Sequence, residues 1–178
     1  MEDIARILKH GGIGVMPTDT IYGLVGSALK KKTVERIYHV RKRNKEKPMI
    51  ILISSLRNLA HLGVRIDART KKILLRLWPG KVSVILPCTS KKFAYLHRDA
   101  RSLAFRFPKK KSLRNLLAQT GPLVAPSANR EGKLPATTIR EAKLYFDKKI
   151  DFYLDGGKID GKPSRLIRIV DHGVERIR

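Results

Sequence analysis

The sequence predicts an α/β protein, a mixed β-sheet with helices covering its faces, on three observations. Strand and helix signals interleave along the whole chain. Apolar residues make up 42% of the 178 residues and recur in short periodic blocks, enough for one domain with a sizeable core and too few for two. The last strand signals are closely spaced, so some antiparallel pairing is expected. One domain over residues 1–178 follows.

Ile4, Ile7 and Leu8 share one face of a short first helix, and Gly11-Gly12 should end it, because glycine accepts the left-handed conformation of a helix C-terminus. Ile13 to Met16 is the first strand. After a polar turn, Tyr22 to Leu29 reads as the second, and Val34, Ile37, Tyr38 and Arg41 at spacings of three and four predict a helix with Thr33 as N-cap. Pro48 closes the basic loop that follows, since it lacks the amide a helix interior needs, and Met49 to Ile53 is a strand. Ser54 or Ser55 caps a short helix to about His61. Asp67 caps a longer one carrying Ile73, Leu74 and Leu77, which Trp78-Pro79-Gly80 stops.

Val82 to Leu86 is a continuous apolar run rich in β-branched residues, expected as a buried strand. Across Ser102 to Phe107, Leu103, Phe105 and Phe107 alternate with Ala104 and Arg106, which points Arg106 away from the phenylalanines. Ser112 opens a helix through Gln119, and Leu123 to Ala125 is a short strand ended by Pro126. Thr138 and Glu141 form a capping box for a helix to about Phe146. Phe152 to Leu154, Leu166 to Val170 and Val174 to Ile177 complete the strands.

Composition narrows the chemistry. The 39 Lys plus Arg against 15 Asp plus Glu give a formal charge of +24, a field that concentrates phosphates and favours salt-dependent RNA binding. Cys88 is the only cysteine, so no internal disulfide or cysteine metal cluster forms. His10, His39, His61, His97 and His172 lack metal-ligand spacing, and no nucleophile stands beside them. There is no Walker-type loop, Gly-x-Gly-x-x-Gly or Gly-x-Ser-x-Gly elbow. The segment Glu2 to His10 is charged and amphipathic, unlike a signal peptide, and no apolar run reaches membrane-spanning length, so a cytoplasmic location is expected.

Four polar stretches remain, each open to two readings. Thr18, Asp19 and Thr20, with Tyr22, either hold a polar substrate or satisfy a turn. Arg41, Lys42, Arg43, Lys45 and Lys47 form either a phosphate-binding loop or a solvated basic one. Arg106 either meets a buried anion or reaches solvent. Ser127 and Asn129 project the same way from extended backbone, offering a hydroxyl and an amide, or serve only a turn.

Taken in order, PTDTIYGL (Pro17 to Leu24), RKRNKEKPMIILI (Arg41 to Ile53), WPG (Trp78 to Gly80), LAFRFP (Leu103 to Pro108), PSANREG (Pro126 to Gly132) and Pro163-Ser164 span nearly the whole chain. In that order they resemble the YrdC/Sua5 family of threonylcarbamoyl-AMP synthases, in its short, single-domain form. The resemblance implies an open, twisted sheet with a large basic concave cavity. It implies synthesis of L-threonylcarbamoyladenylate from L-threonine, bicarbonate and ATP with release of pyrophosphate, for modification of adenosine 37 in ANN-decoding tRNAs. Downstream tRNA threonylcarbamoyl-transfer proteins would be partners, and the protein would not engage a membrane.

By motif, Thr20 and Tyr22 would lie beside the threonine and carbamate, and Asp19 would brace the turn. Arg41, Arg43 and Lys47 would hold ATP phosphates, with Arg106 beside the substrate carboxylate or the nucleotide. Ser127 and Asn129 would touch phosphate and substrate, and Ser164 the nucleotide; Arg43, Lys47 and Ser127 would serve catalysis. Mg2+ would arrive with the triphosphate, without a dedicated protein cage. The chain departs from the family pattern at Arg41, where a lysine is usual, at Lys81 in place of a proline, and in PSRLIRIVD, where Arg165 follows Ser164 and Asp171 is displaced. Two alternatives remain: a noncatalytic RNA-binding protein on the same scaffold, and carbamoyl transfer in hydrogenase maturation, which the missing zinc-binding cysteines oppose.

Overall fold

The fold is taken from a computed structural model, which describes residues 1–170 and 173–178; Asp171 and His172 lie outside the described residues. Nine strands form one mixed sheet: β1 (Ile13–Pro17), β2 (Tyr22–Ser27), β3 (Ile51–Leu52), β4 (Val82–Pro87), β5 (Ser102–Arg106), β6 (Leu123–Val124), β7 (Phe152–Tyr153), β8 (Arg165–Val170) and β9 (Gly173–Arg176). Their order across the sheet is β7-β1-β2-β6-β3-β5-β4-β8-β9. β1/β7, β3/β5 and β4/β8 pair parallel and the other neighbours antiparallel, so the expected mixed sheet forms.

Strand pleating divides the core in two. Val15, Leu24, Ile51, Phe105 and Val124 face the larger cluster. Their neighbours Met16, Val25, Leu52 and Leu123 face a smaller one, with Ala5 and Leu8 of α1 (Glu2–Lys9) and Leu113, Leu116 and Leu117 of α6 (Lys111–Thr120). The larger cluster takes residues from α2 (Lys31–Arg41), α3 (Arg57–His61), α4 (Ala68–Leu77), α5 (Ala94–His97) and α7 (Ile139–Phe146). On β4 and β5, the positions opposite this larger core include Ser83 and Arg106, both buried. That polar strip on an otherwise apolar sheet positions the site.

Most helix ends obey the expected chemistry. Gly11 takes a positive φ of 94° just past α1. The Asp67 carboxylate accepts the Thr70 amide at 2.6 Å, and Thr138 accepts that of Glu141 at 3.2 Å. Two expectations are corrected. Thr33 does not cap α2, which starts two residues earlier; its hydroxyl donates to Gly11 O at 2.9 Å, a tertiary bond that outcompetes a cap. Before α3, Ser55 caps as expected, its Oγ accepting from Arg57 N, and Asn58 Oδ1 returns to accept the amides of Ser54 and Ser55. The Glu141 carboxylate returns to Thr137 N and not to Thr138, shifting the capping box by one residue. β3 and β6 are shorter than expected as strands, but bonds from Ala125 N to Ile50 O and Ile53 N to Arg106 O prolong their ladders.

Candidate active site

A cavity of about 210 Å³ opens on the polar side of the sheet. The turn after β1, the loop after α2, β5, the segment after β6 and the approach to β8 all contribute walls. Its lining holds four guanidinium groups, Arg41, Arg43, Arg106 and Arg178, and no carboxylate among the described residues. Pro48, Met49, Ala104, Ala125 and Pro126 supply apolar surface.

The 18–21 turn is built by its hydroxyls. Thr18 Oγ1 donates to Ile21 O at 2.7 Å and accepts Thr20 N at 3.1 Å. With that proton committed, Thr20 Oγ1 donates to Thr18 Oγ1 at 3.0 Å and accepts from Arg106 Nη1 at 2.8 Å. The alternation of β5 turns Arg106 from the core, and its 4% exposure decides between the two readings in favour of a buried cation. Its counter-ion is Asp19, whose Oδ1 lies 3.3 Å from Nη2 in a geometry short of a hydrogen bond. Asp19 Oδ2 accepts the Lys109 amide at 3.0 Å, so Asp19 does more than brace its own turn. Burial lowers the Arg106 pKa and Asp19 opposes that shift.

Tyr22 lies buried beneath the cavity, and its hydroxyl is committed to a strap formed by residues 155–162. It donates to Gly157 O at 2.7 Å and accepts from Gly156 N at 2.8 Å. The strap then crosses the turn so closely that a Cβ on Gly161 would stand 1.8 Å from Thr20 O. Tyr22 therefore offers the cavity its ring.

Arg41, 3% exposed, ties two walls together. Its Nε donates to Asn129 O at 2.9 Å, and its Nη2 to Asn129 Oδ1 at 3.0 Å and Ser127 Oγ at 3.3 Å. Burial lowers its pKa to about 10, with the charge of Arg43 adding, so it stays cationic at neutral pH. Arg41 Nη1 and Arg106 Nε are buried without partners, which leaves both guanidiniums with unused donor capacity. Arg43 donates to the carbonyls of Lys47 and Pro48 at 3.0 Å each, closing the basic loop while lining the cavity.

Ser127 and Ser164 line the cavity; Ser164 Oγ is 2.8 Å from Ser83 Oγ. Two expected ligands lie outside the lining. Asn129 spends its amide on Lys133 O and Arg130 O as well as Arg41, which makes it a support for Arg41. Lys47 pairs with Glu131. Sequence reasoning gave no role to Glu131, Ser83 or Arg178; only Ser83 left a signal, as the hydroxyl in an apolar strand. No cluster of three metal-ligating side chains occurs among the described residues.

The sequence profile of the Sua5/YciO/YrdC family, described as telomere recombination, matches residues 6–178. The chain belongs to the Sua5/YciO/YrdC family. Within it, the threonylcarbamoyl-AMP synthase of Marinobacter nauticus is 32% identical over 164 residues, 90% of this chain and 86% of its own length. That of Pyrococcus abyssi is 30% identical over 155 residues, 86% of this chain but 46% of its own length. The solved structure of P. abyssi Sua5 complexed with L-threonine superposes with a TM-score of 0.89 at 29% identity, over 99% of this chain and 52% of that one. This Sua5/YciO/YrdC chain thus spans about half the length of the P. abyssi protein, and most of the M. nauticus one.

Proposed function

We propose that the chain makes L-threonylcarbamoyl-AMP from L-threonine, bicarbonate and MgATP, and so serves threonylcarbamoyl modification of tRNA in the cytoplasm. The observation that carries this reading is the cavity itself, where hydroxyls of the 18–21 turn and of Ser127 face four guanidiniums, on a fold shared with a threonine-bound relative. The threonine amine combines with bicarbonate to give a carbamate and water. A carbamate oxygen then attacks the α-phosphorus, the bond to the β-phosphate oxygen breaks, and pyrophosphate leaves with that electron pair.

The protein's part is positioning and charge. Thr20 and Arg106 hold the amino acid, the Tyr22 ring floors its side, and Arg41 and Arg43 neutralise the leaving pyrophosphate while Ser127 orients a phosphate oxygen. Ser164 steadies the nucleotide. The lining holds no Asp or Glu side chain among the described residues, and Mg2+ would enter on the triphosphate as part of the substrate. The test is incubation with ATP, magnesium, bicarbonate and labelled threonine; folded protein that gives no threonine-dependent pyrophosphate overturns the reading. The +24 charge favours a second one, RNA binding without turnover, which predicts salt-sensitive RNA retention and no pyrophosphate release. Contact with tRNA during synthesis would give the first property together with turnover.

A further inference from the structure

In the loop that carries the cavity-lining Arg43 and Pro48, the Lys47 ammonium lies 3.2 Å from Glu131 Oε1, and the Asn44 main-chain amide donates to Oε2 at 2.5 Å. An ammonium and a main-chain N–H converging on two carboxylate oxygens is a donor set that a phosphate group satisfies equally well. The pairing is exchangeable: the Lys47 side chain is 61% exposed, so little holds it to one partner. The main chain of Glu131 is fixed separately, its N–H donating to Arg41 O at 2.9 Å, so the carboxylate can release without moving its loop. The Asn44 amide and Lys47 hold the Glu131 carboxyl below the usual range, and it is ionised at neutral pH.

We infer that Glu131 sets nucleotide affinity: its carboxylate occupies, in the free protein, the Lys47 and Asn44 donors that the triphosphate takes when it binds. The inference rests on the reading of the cavity as an ATP site. It explains why Lys47 stands outside the lining, and it gives pyrophosphate a route out, because the carboxylate reoccupies the donors as the anion leaves.

The experiment measures binding of MgATP and of magnesium pyrophosphate by calorimetry, with threonine-dependent pyrophosphate release in parallel. The proteins are the unaltered chain, Glu131→Gln, Lys47→Ala and the double variant, with Glu46→Gln, an exposed neighbour, controlling for the loss of one charge. Glutamine keeps an acceptor for the Asn44 amide and removes only the ion pair. Glu131→Gln is expected to bind both ligands roughly two- to fivefold more tightly, the worth of an exposed ion pair. The gain should vanish in the Lys47→Ala background, and Glu46→Gln should show none. Unchanged or weaker binding by Glu131→Gln overturns the inference, as does a gain that persists without Lys47 or appears equally in Glu46→Gln. If the unaltered chain neither binds MgATP nor releases pyrophosphate, the parent reading fails and the inference with it.

Discussion

Arg106 and Asp19 form a buried ion pair at the edge of the cavity, Nη2 to Oδ1 3.3 Å apart with each side chain 5% exposed. Removing one partner of such a pair leaves the other charge uncompensated. Asp19→Ala should lower the unfolding free energy by about 3–5 kcal/mol, read by urea denaturation, and raise KM for threonine. A variant of unchanged stability would show that Arg106 is solvated from the cavity and needs no counter-ion.

Ser127→Ala and Arg43→Ala should separate function from folding. Arg43 gives up two hydrogen bonds to carbonyls and Ser127 one from Arg41, so each variant should lose about 1–2 kcal/mol and remain folded. On the proposed reading each removes a contact to a charged phosphate, worth roughly ten- to a hundredfold in kcat/KM. If pyrophosphate release keeps its full rate in both, the phosphate side of the cavity lies elsewhere.

Arg41→Lys should not be neutral, even though both side chains are cations. Lysine cannot reproduce the fork that joins Nε and Nη2 to Asn129 and Ser127. A loss of about 1–3 kcal/mol in thermal or chemical denaturation is expected, together with weaker ATP binding. Asn129→Ala should reproduce both effects, because its amide acts through Arg41.

Gly161→Ala places a methyl where the backbone of Thr20 already stands. The strap must lift, at a cost of about 2 kcal/mol or more, and KM for threonine should rise while KM for ATP holds. Lys158→Ala in the same strap, where the side chain is solvent-exposed, should change neither.

Alkaline titration should report Tyr153. Burial, with the Asp147 carboxylate adding, pushes its pKa up to about 12 from 10. The folded state therefore holds this proton more tightly than the unfolded one. The associated stability is complete below pH 10 and is lost as pH rises from 10 through 12. Tyr153→Phe should flatten the decline in that window; an identical slope would place the loss on other groups.

Much of the fold could be read from the sequence because its signals are local. Alternation across Ser102 to Phe107 settled which way Arg106 points, and Asp67 and Thr138 announced the helices they cap. Thr33 was misplaced because its hydroxyl answers to Gly11, a partner brought near only by the sheet. The site divides along the same line. Residue type revealed the bonding capacity of Thr20, Ser127 and Arg106, but capacity does not name a partner. Asn129 and Lys47 have the right chemistry for a ligand and spend it on Arg41 and Glu131, relationships that exist only after loops distant in sequence meet.

The walls of the cavity come from every third of the chain, from the turn at Thr18 to Ser164 held against Ser83 on β4. No contiguous fragment carries a usable share of it. A newly made chain is therefore blind to its ligands until β8 has docked beside β4. Amides that exchange only by global unfolding should then gain the same protection from substrate wherever they lie in the sheet.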